Sequence, residues 1–236
     1  MAKGLRKYLE KAERDWRRGF GQDITGDLER RQSFWHYNWL DHAHWRRFLH
    51  NQAEIAPGIF RSNQPTLRRL RNLQRRHGLK TVVNLRGKDV FAHYLFLKEN
   101  CERLGLDLID VKMRATRAPL VSQIEELIAA LEVAERPLLL HCKSGADRTG
   151  MASVIYMHLH EGVPISEAKR HLSFRHLHIR RSSAGILDYF LDLYEYHHLQ
   201  TGIGLLEWVR TGYDPEALTA GFRNGCPIPC PPVPKG

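Results

Sequence analysis

The feature that most constrains this chain is a short apolar run that leads through a polar loop into a long apolar stretch. Leu138-Leu139-Leu140 precedes the decamer His141-Cys142-Lys143-Ser144-Gly145-Ala146-Asp147-Arg148-Thr149-Gly150, which Met151–Leu159 follows. The triplet predicts a buried strand, the decamer a tight loop and the last stretch a helix. We refer to residues 141–150 as the 141–150 loop.

Strand-like and helix-like segments alternate along the middle of the chain, which predicts an α/β fold: a central, mostly parallel sheet flanked by helices. In such sheets ligands bind beyond the carboxyl ends of the strands, where Cys142 falls. The predicted strands are 81–85, 106–113 and 138–140. The first predicted helix begins at Pro65 and ends near Gly78, and another begins at a capping box formed by Ser122 and Glu125. The remaining predicted helices are 90–103, 151–159 and 166–174.

The 141–150 loop carries the residue types that attack phosphorus. A loop that opens a helix points successive backbone N–H groups into one concavity, where the helix dipole also favours negative charge. The same field lowers the pKa of a cysteine there, and the thiolate is the nucleophile. Arg148 adds a planar cation that can hold two phosphate oxygens at once.

A cysteine with an arginine six residues later is weak evidence by itself in a chain this rich in arginine. Only Cys142 of the four cysteines has this spacing, since Cys101, Cys226 and Cys230 have Asp107, Pro232 and Gly236 at the same offset. The surrounding residues and the strand–loop–helix context favour a catalytic cysteine over a buried structural one.

The decamer resembles the catalytic loop of the cysteine-based protein tyrosine and dual-specificity phosphatases. Residues 56–65 and 79–86 look like the first strand, turn and second strand of the compact atypical dual-specificity type. The resemblance covers roughly residues 55–200 and implies a phosphatase-like fold.

For the site, Cys142 is expected to be the nucleophile and Arg148 to hold the phosphoryl oxygens. The resemblance implies that the Thr149 hydroxyl donates to the Cys142 sulfur, while His141 is expected to orient the loop rather than act as a base. No metal or other cofactor is expected, because arginine and backbone amides supply the positive charge. The residues expected to bind substrate are Lys143, Ser144, Gly145, Ala146, Thr149 and Gly150.

The general acid is the open question of the sequence. The loop after the predicted 106–113 strand, Arg114–Pro119, contains no carboxylate, although enzymes of this type usually carry an Asp there. Asp147 is slightly favoured over Asp110, because an Asp-Arg pair also occurs in the loops of myotubularin-like phosphoinositide phosphatases. Asp147 could equally serve only the architecture of the loop, and a site without a side-chain acid is the third alternative.

The substrate is expected to be a phosphorylated protein, with phosphotyrosine or dual specificity. The alternatives are a phosphoinositide, another lipid phosphate or an inositol phosphate, and a phosphate-binding module with feeble catalysis. The net charge of +10 and pI near 9.7 attract any of these anions. A nucleic-acid partner ranks last because it rests on charge alone, and the oligomeric state stays open.

Three regions are predicted: a helical N-terminal extension over 1–50, the catalytic domain over 51–200, and a C-terminal extension over 201–236 with a proline-rich tail. The aromatic residues of 1–50 are expected to dock on the core, or to associate peripherally with an anionic membrane surface. A metal site at His42 and His44 is disfavoured. Few cysteines and no apolar leader predict a cytoplasmic protein. Seven histidines after the loop are interpreted as surface or capping groups: His158, His160, His171, His176, His178, His197 and His198.

Overall fold

The computed structural model describes residues 24–28, 30–31 and 51–228. Most of the predicted helical extension, including the aromatic residues and histidines between 32 and 50, lies outside the described residues, and so does the proline-rich tail from residue 229 onward. A short piece of the extension is described and contacts the catalytic domain: Arg30 donates to both carboxylate oxygens of Glu99 at 2.8 Å and lies 5.4 Å from the Phe96 ring centroid.

Five strands form one sheet in the order β1-β2-β5-β3-β4. β1 is antiparallel to β2, and the other three pairings are parallel. The predicted α/β fold with a mostly parallel sheet flanked by helices is therefore confirmed. The strands are β1 Ala53–Ala56, β2 Ile59–Ser62, β3 Thr81–Asn84, β4 Asp107–Asp110 and β5 Leu138–His141.

Helices cover both faces of the sheet, as parallel strands require, since both of their faces must be buried. Short 3₁₀ turns occupy Lys169–His171, Phe174–His176 and Ser183–Gly185. The α-helices within residues 51–228 are α1 Leu67–His77, α2 Ala92–Leu104, α3 Val121–Val133, α4 Asp147–His160, α5 Ile165–Ala168, α6 Ile186–Thr201, α7 Leu205–Thr211 and α8 Pro215–Arg223.

Three predicted boundaries were wrong in instructive ways. The helix predicted from Pro65 begins at Leu67, because the Thr66 side chain accepts from the N–H of Arg69 and caps it. The Ser122/Glu125 capping box is not formed: α3 already begins at Val121, and the Gln123 side chain accepts from the Leu120 N–H at 3.1 Å instead. The strand predicted over 106–113 ends at Asp110.

The helix predicted over 166–174 is broken into pieces. α5 stops at Ala168, and the chain continues through the two 3₁₀ turns that begin at Lys169 and Phe174. This irregular stretch returns to the 141–150 loop: His178 hydrogen-bonds to Asp147, and Arg61 donates to carbonyls of both the stretch and the loop. Contacts with the loop thus replace a regular helix here.

Alternate residues of β5 face opposite sides of the sheet and enter two separate apolar clusters. Leu138 and Leu140 lie with residues of α3, α4, α6 and α7, whereas Leu139 lies with residues of α1 and α2. Leu205, Trp208 and Val209 of α7 belong to the same cluster as Leu138. The predicted boundary near residue 200 stays a prediction.

No helix among the described residues has both the length and the apolar composition needed to cross a bilayer.

Candidate active site

The 141–150 loop lies at the carboxyl edge of the parallel strands. Ser62, His141, Asn84 and Asp110 end their strands in matching register across the sheet, so Cys142 emerges just beyond the centre of that edge. Leu85 donates its N–H to the His141 carbonyl at 2.9 Å and fixes where the loop leaves the sheet.

Gly145 is required by the path of the loop. Its φ is +75°, and a Cβ on it would lie 2.6 Å from the backbone nitrogen of Asn63. Any other residue would meet both backbone strain and a collision with the end of β2. The close approach lets the Gly145 N–H point at the Cys142 sulfur, 3.3 Å away.

Cys142 is 1 % exposed, and its surroundings favour the thiolate. Burial alone raises the pKa of a thiol, but here the Arg148 guanidinium, the hydroxyl and N–H of Thr149 and the N–H of Gly145 together bring the pKa of Cys142 below its ordinary value. The Thr149 hydroxyl is buried and makes no hydrogen bond of ordinary geometry with another described residue. Thr149 therefore lies close enough to the sulfur to lower the pKa of Cys142, and donation from its hydroxyl to the sulfur stays a prediction.

Arg148 lies in the first turn of α4 with its Nε buried and without a hydrogen-bond partner among the described residues. That donor is available to an anion held at the N-terminus of the helix. The Ser144 hydroxyl accepts from the Ala146 N–H at 3.4 Å, which shapes the turn, and the Lys143 carbonyl accepts from the Gln64 N–H at 3.3 Å. Gly150 closes the loop by donating its N–H to the Ala146 carbonyl at 2.8 Å.

His141 is fully buried and neutral. Burial, and to a smaller extent the charges of Arg86, Arg148 and His93, lower the pKa of His141 to about 3. Its Nδ1 lies 3.4 Å from the Cys142 carbonyl oxygen. A neutral ring that donates to the backbone of the loop is suited to holding the loop in shape.

Arg61 is a residue of the site that the sequence analysis did not identify. It is a fully buried side chain of β2 that donates to the Gly145 carbonyl at 2.7 Å and to the His171 carbonyl at 2.5 Å. Burial lowers the pKa of Arg61 to about 10, opposed by the negative charge of Cys142. Arg61 is therefore a cation beneath the loop that fastens it to the 171–178 stretch.

Asp147 is part of a three-residue chain that the sequence did not indicate. His178 donates from Nδ1 to Asp147 Oδ1 at 2.7 Å and from Nε2 to Asp188 Oδ2 at 2.6 Å. Burial by itself lowers the pKa of His178, but the two hydrogen-bonded carboxylates and their charges raise it to about 9. The imidazolium thereby anchors Asp147 to Asp188 of α6.

The interpretation of seven histidines as surface or capping groups was wrong for three of them. His171, His176 and His178 are buried beside the 141–150 loop. Burial lowers the pKa of His171 and of His176 to about 4, with the nearby Arg61 adding to the effect, so both rings are neutral at pH 7. Periodicity gave no signal for this, because the stretch that carries them is irregular.

Asp110, the alternative acid, is held away from the loop. Its two carboxylate oxygens accept from Asn84 Nδ2 and from the Tyr94 hydroxyl, each at 2.8 Å. β3 separates its strand from β5, a lateral distance of about 10 Å at ordinary strand spacing. A further carboxylate belongs to Asp89, in the connection between β3 and α2. Its Oδ2 lies 3.4 Å from Nε2 of His93. No sequence pattern indicated this residue.

Residues 40–182 match the model of a protein family described as "DSP-PTPase phosphatase fused to NAD+ Kinase". The matched region holds the nucleophile candidate, the arginine and all five strands. The chain belongs to this family. Membership in this phosphatase family agrees with the resemblance that the 141–150 loop carries, and it places the chain in the atypical dual-specificity phosphatase superfamily.

Several solved structures are similar to this family member at low identity. Tk-PTP in its active form has a TM-score of 0.48 at 20 % identity, over 60 % of this chain and 96 % of its own. TpbA of P. aeruginosa has 0.46 at 22 %, over 74 % and 92 %. The catalytic domain of the PP-IP phosphatase SIW14 from S. cerevisiae has 0.42 at 21 %, over 58 % and 91 %. No sequence among the curated proteins matches this chain.

Proposed function

We propose that this protein hydrolyses phosphate monoesters through a phosphocysteine intermediate. The Cys142 sulfur attacks phosphorus, the ester P–O bond breaks, and the leaving oxygen takes a proton. Water then attacks phosphorus of the phosphocysteine, the S–P bond breaks, and inorganic phosphate and the thiolate are released. Arg148 and the amides of the loop stabilise the charge on the phosphoryl oxygens in both steps.

The observation that carries this proposal is a buried cysteine whose pKa is lowered by a cradle of donors. Arg148, Thr149 and Gly145 lower the pKa of a buried cysteine that burial alone would leave as a thiol. A structural cysteine needs no such arrangement, and Cys101 is the comparison within the same chain: burial and the nearby carboxylates raise its pKa to about 12. We place the protein in the cytoplasm, a reducing compartment in which Cys142 stays reduced.

For the substrate class, we propose phosphorylated proteins, with phosphotyrosine or dual specificity. A second candidate is a phosphoinositide, another lipid phosphate or an inositol phosphate, and the charge around the loop favours it. Lys143 lies in the loop, and Arg86 is close enough to His141 to lower its pKa. These cations suit a substrate that carries more than one phosphate.

A panel assay of the full chain tests these proposals. It compares an aryl phosphate, phosphotyrosine and phosphoserine peptides, phosphoinositides and inositol phosphates, with phosphate release as the readout. NADP⁺ belongs in the panel, because the family description pairs a phosphatase of this type with an NAD⁺ kinase, whose product carries a phosphate monoester. We expect turnover that survives EDTA, with phosphopeptides the best substrates. Preference for phosphoinositides would select the second candidate, and binding without turnover would favour the phosphate-binding module.

We infer that Asp147 is the general acid that protonates the leaving oxygen. Asp147→Asn should then slow the hydrolysis of phosphoserine peptides, whose leaving group is poor, by about 100-fold or more. A general acid must be protonated to act, so any fall of the wild-type rate toward neutral pH that comes from loss of this acid should vanish in the variant. The measurement is the rate against pH from the acidic to the neutral range.

Asp89→Asn is the matched comparison, since Asp89 is another partly exposed carboxylate in contact with a histidine at this end of the sheet. It should keep the wild-type profile. An unchanged profile in Asp147→Asn would exclude that acid. Loss of the same limb in Asp110→Asn would then move the role to Asp110, and its persistence in all three variants would indicate a reaction without a side-chain acid.

A further inference from the structure

Three large apolar side chains are exposed within six residues beside the 141–150 loop. Phe174 is 77 % exposed, Leu177 49 % and Ile179 55 %. Single exposed apolar residues are common on protein surfaces, but a cluster of large ones marks an interaction site. We call residues 173–181 the apolar-basic segment.

The backbone of this segment is strained at Leu177. Leu177 adopts φ +63° and ψ +17°, the left-handed region, which favours glycine and is costly for a branched side chain. Its side chain is half exposed, so burial does not offset that cost. A leucine kept in this conformation and presented to solvent is better explained by a contact outside the chain than by folding.

The charge around the apolar side chains is positive. Between Lys169 and Ser183 the sequence has five lysine or arginine residues and no acidic one. Lys169 and Arg180 pair with carboxylates of α6, Asp192 and, for Lys169, also Glu195. The other three, Arg170, Arg175 and Arg181, are exposed and form no ion pair with a described residue.

The segment is fastened directly to the catalytic loop. Asn51 Nδ2 donates to the Ser144 carbonyl at 3.2 Å and to the His176 carbonyl at 2.8 Å. His178, also in this segment, hydrogen-bonds to Asp147 of the loop. A partner that binds the exposed side chains is therefore held next to the loop that contains Cys142.

We propose that the apolar-basic segment docks the protein on an anionic membrane surface. Phe174, Leu177 and Ile179 enter the boundary between headgroups and acyl chains, and the arginines between and beside them bind lipid phosphates. The alternation of apolar and cationic side chains over so short a segment fits a lipid interface better than a protein interface, which needs about 800 Å² on each partner. This docking is independent of the substrate class proposed above. The apolar-basic segment is also separate from residues 1–50, for which the sequence suggested a membrane contact.

Vesicle co-sedimentation of the full chain tests this. We expect binding to phosphatidylcholine vesicles that contain phosphatidylserine, and much weaker binding to phosphatidylcholine alone. Phe174→Ser and Leu177→Gly should each weaken binding to the anionic vesicles by about tenfold or more. Leu177→Gly also relieves the left-handed strain, so its thermal midpoint should be equal to or above that of the wild type, which separates lost docking from misfolding.

Val133→Ser and Leu199→Ser are the matched controls, because these side chains are 72 % and 73 % exposed on α3 and α6. Both should bind vesicles as the wild type does, and all four variants should keep wild-type turnover of a soluble aryl phosphate. Absence of wild-type binding to anionic vesicles would overturn the proposal. Equal losses in the segment and control variants, or no loss in either, would overturn it as well, whatever the substrate panel shows.

Discussion

Cys142→Ser should abolish turnover of an aryl phosphate, with a loss of about 10⁴-fold or more in kcat. A serine hydroxyl titrates far above a thiol, so the donors that lower the pKa of Cys142 cannot ionise it at neutral pH. The loop should keep its shape, because Gly145 and Arg61 hold it through backbone contacts. We therefore expect the variant to bind phosphate esters while failing to hydrolyse them, measured by initial rates and by competition with inorganic phosphate.

Cys101→Ala provides the control. Cys101 is also buried, but it lies on α2, and burial with its acidic neighbours raises its pKa to about 12. Its removal should leave the rate of aryl phosphate hydrolysis within a few-fold of the wild type. Activity that persists in Cys142→Ser, or an equal loss in Cys101→Ala, would contradict the phosphocysteine mechanism.

Arg61→Met should destabilise the protein strongly. Methionine fills part of the volume but leaves the carbonyls of Gly145 and His171 buried without their donors. Losing two hydrogen bonds from a buried cation should lower the free energy of unfolding by about 2–5 kcal/mol, which corresponds to roughly 5–15 °C in Tm for a chain of this size. Urea and thermal unfolding followed by circular dichroism measure both.

Activity should fall in the same variant for a second reason. Arg61 is close enough to Cys142 for the two charges to interact, so its loss should raise the pKa of the nucleophile. Arg68→Met, an exposed position of α1, should change the free energy of unfolding by no more than about 0.5 kcal/mol. If the two replacements cost the same, the buried contacts of Arg61 would not hold the loop.

The fold was predictable because its signals are local. Leu138–Leu140 is apolar and short, as a buried strand requires, and it is fully buried in β5. Helix ends were less predictable, because they depend on which of several nearby side chains forms the capping hydrogen bond. Thr66 and Gln123 form the hydrogen bonds at the starts of α1 and α3 in place of the residues that the sequence patterns favoured.

Local sequence patterns could not identify residues whose role depends on being buried by distant parts of the chain. Arg61 lies between Phe60 and Ser62 in β2, and a charged residue in a strand ordinarily faces solvent. Only the 141–150 loop, which packs over it, makes Arg61 a buried donor. His178 lies 31 residues after Asp147 in an irregular stretch without periodicity, so nothing local brings the two together.

The sequence by itself determined the chemistry of the 141–150 loop, since the spacing of Cys142, Gly145 and Arg148 sets which groups converge once a strand runs into a helix. The tertiary structure decided the surroundings that tune this chemistry. Packing of β2, α6 and the 171–178 stretch around the loop brings Arg61 beneath it and an imidazolium onto Asp147. The physical reason is that charge interactions depend on distance and burial, and both are set by contacts between residues far apart in the chain.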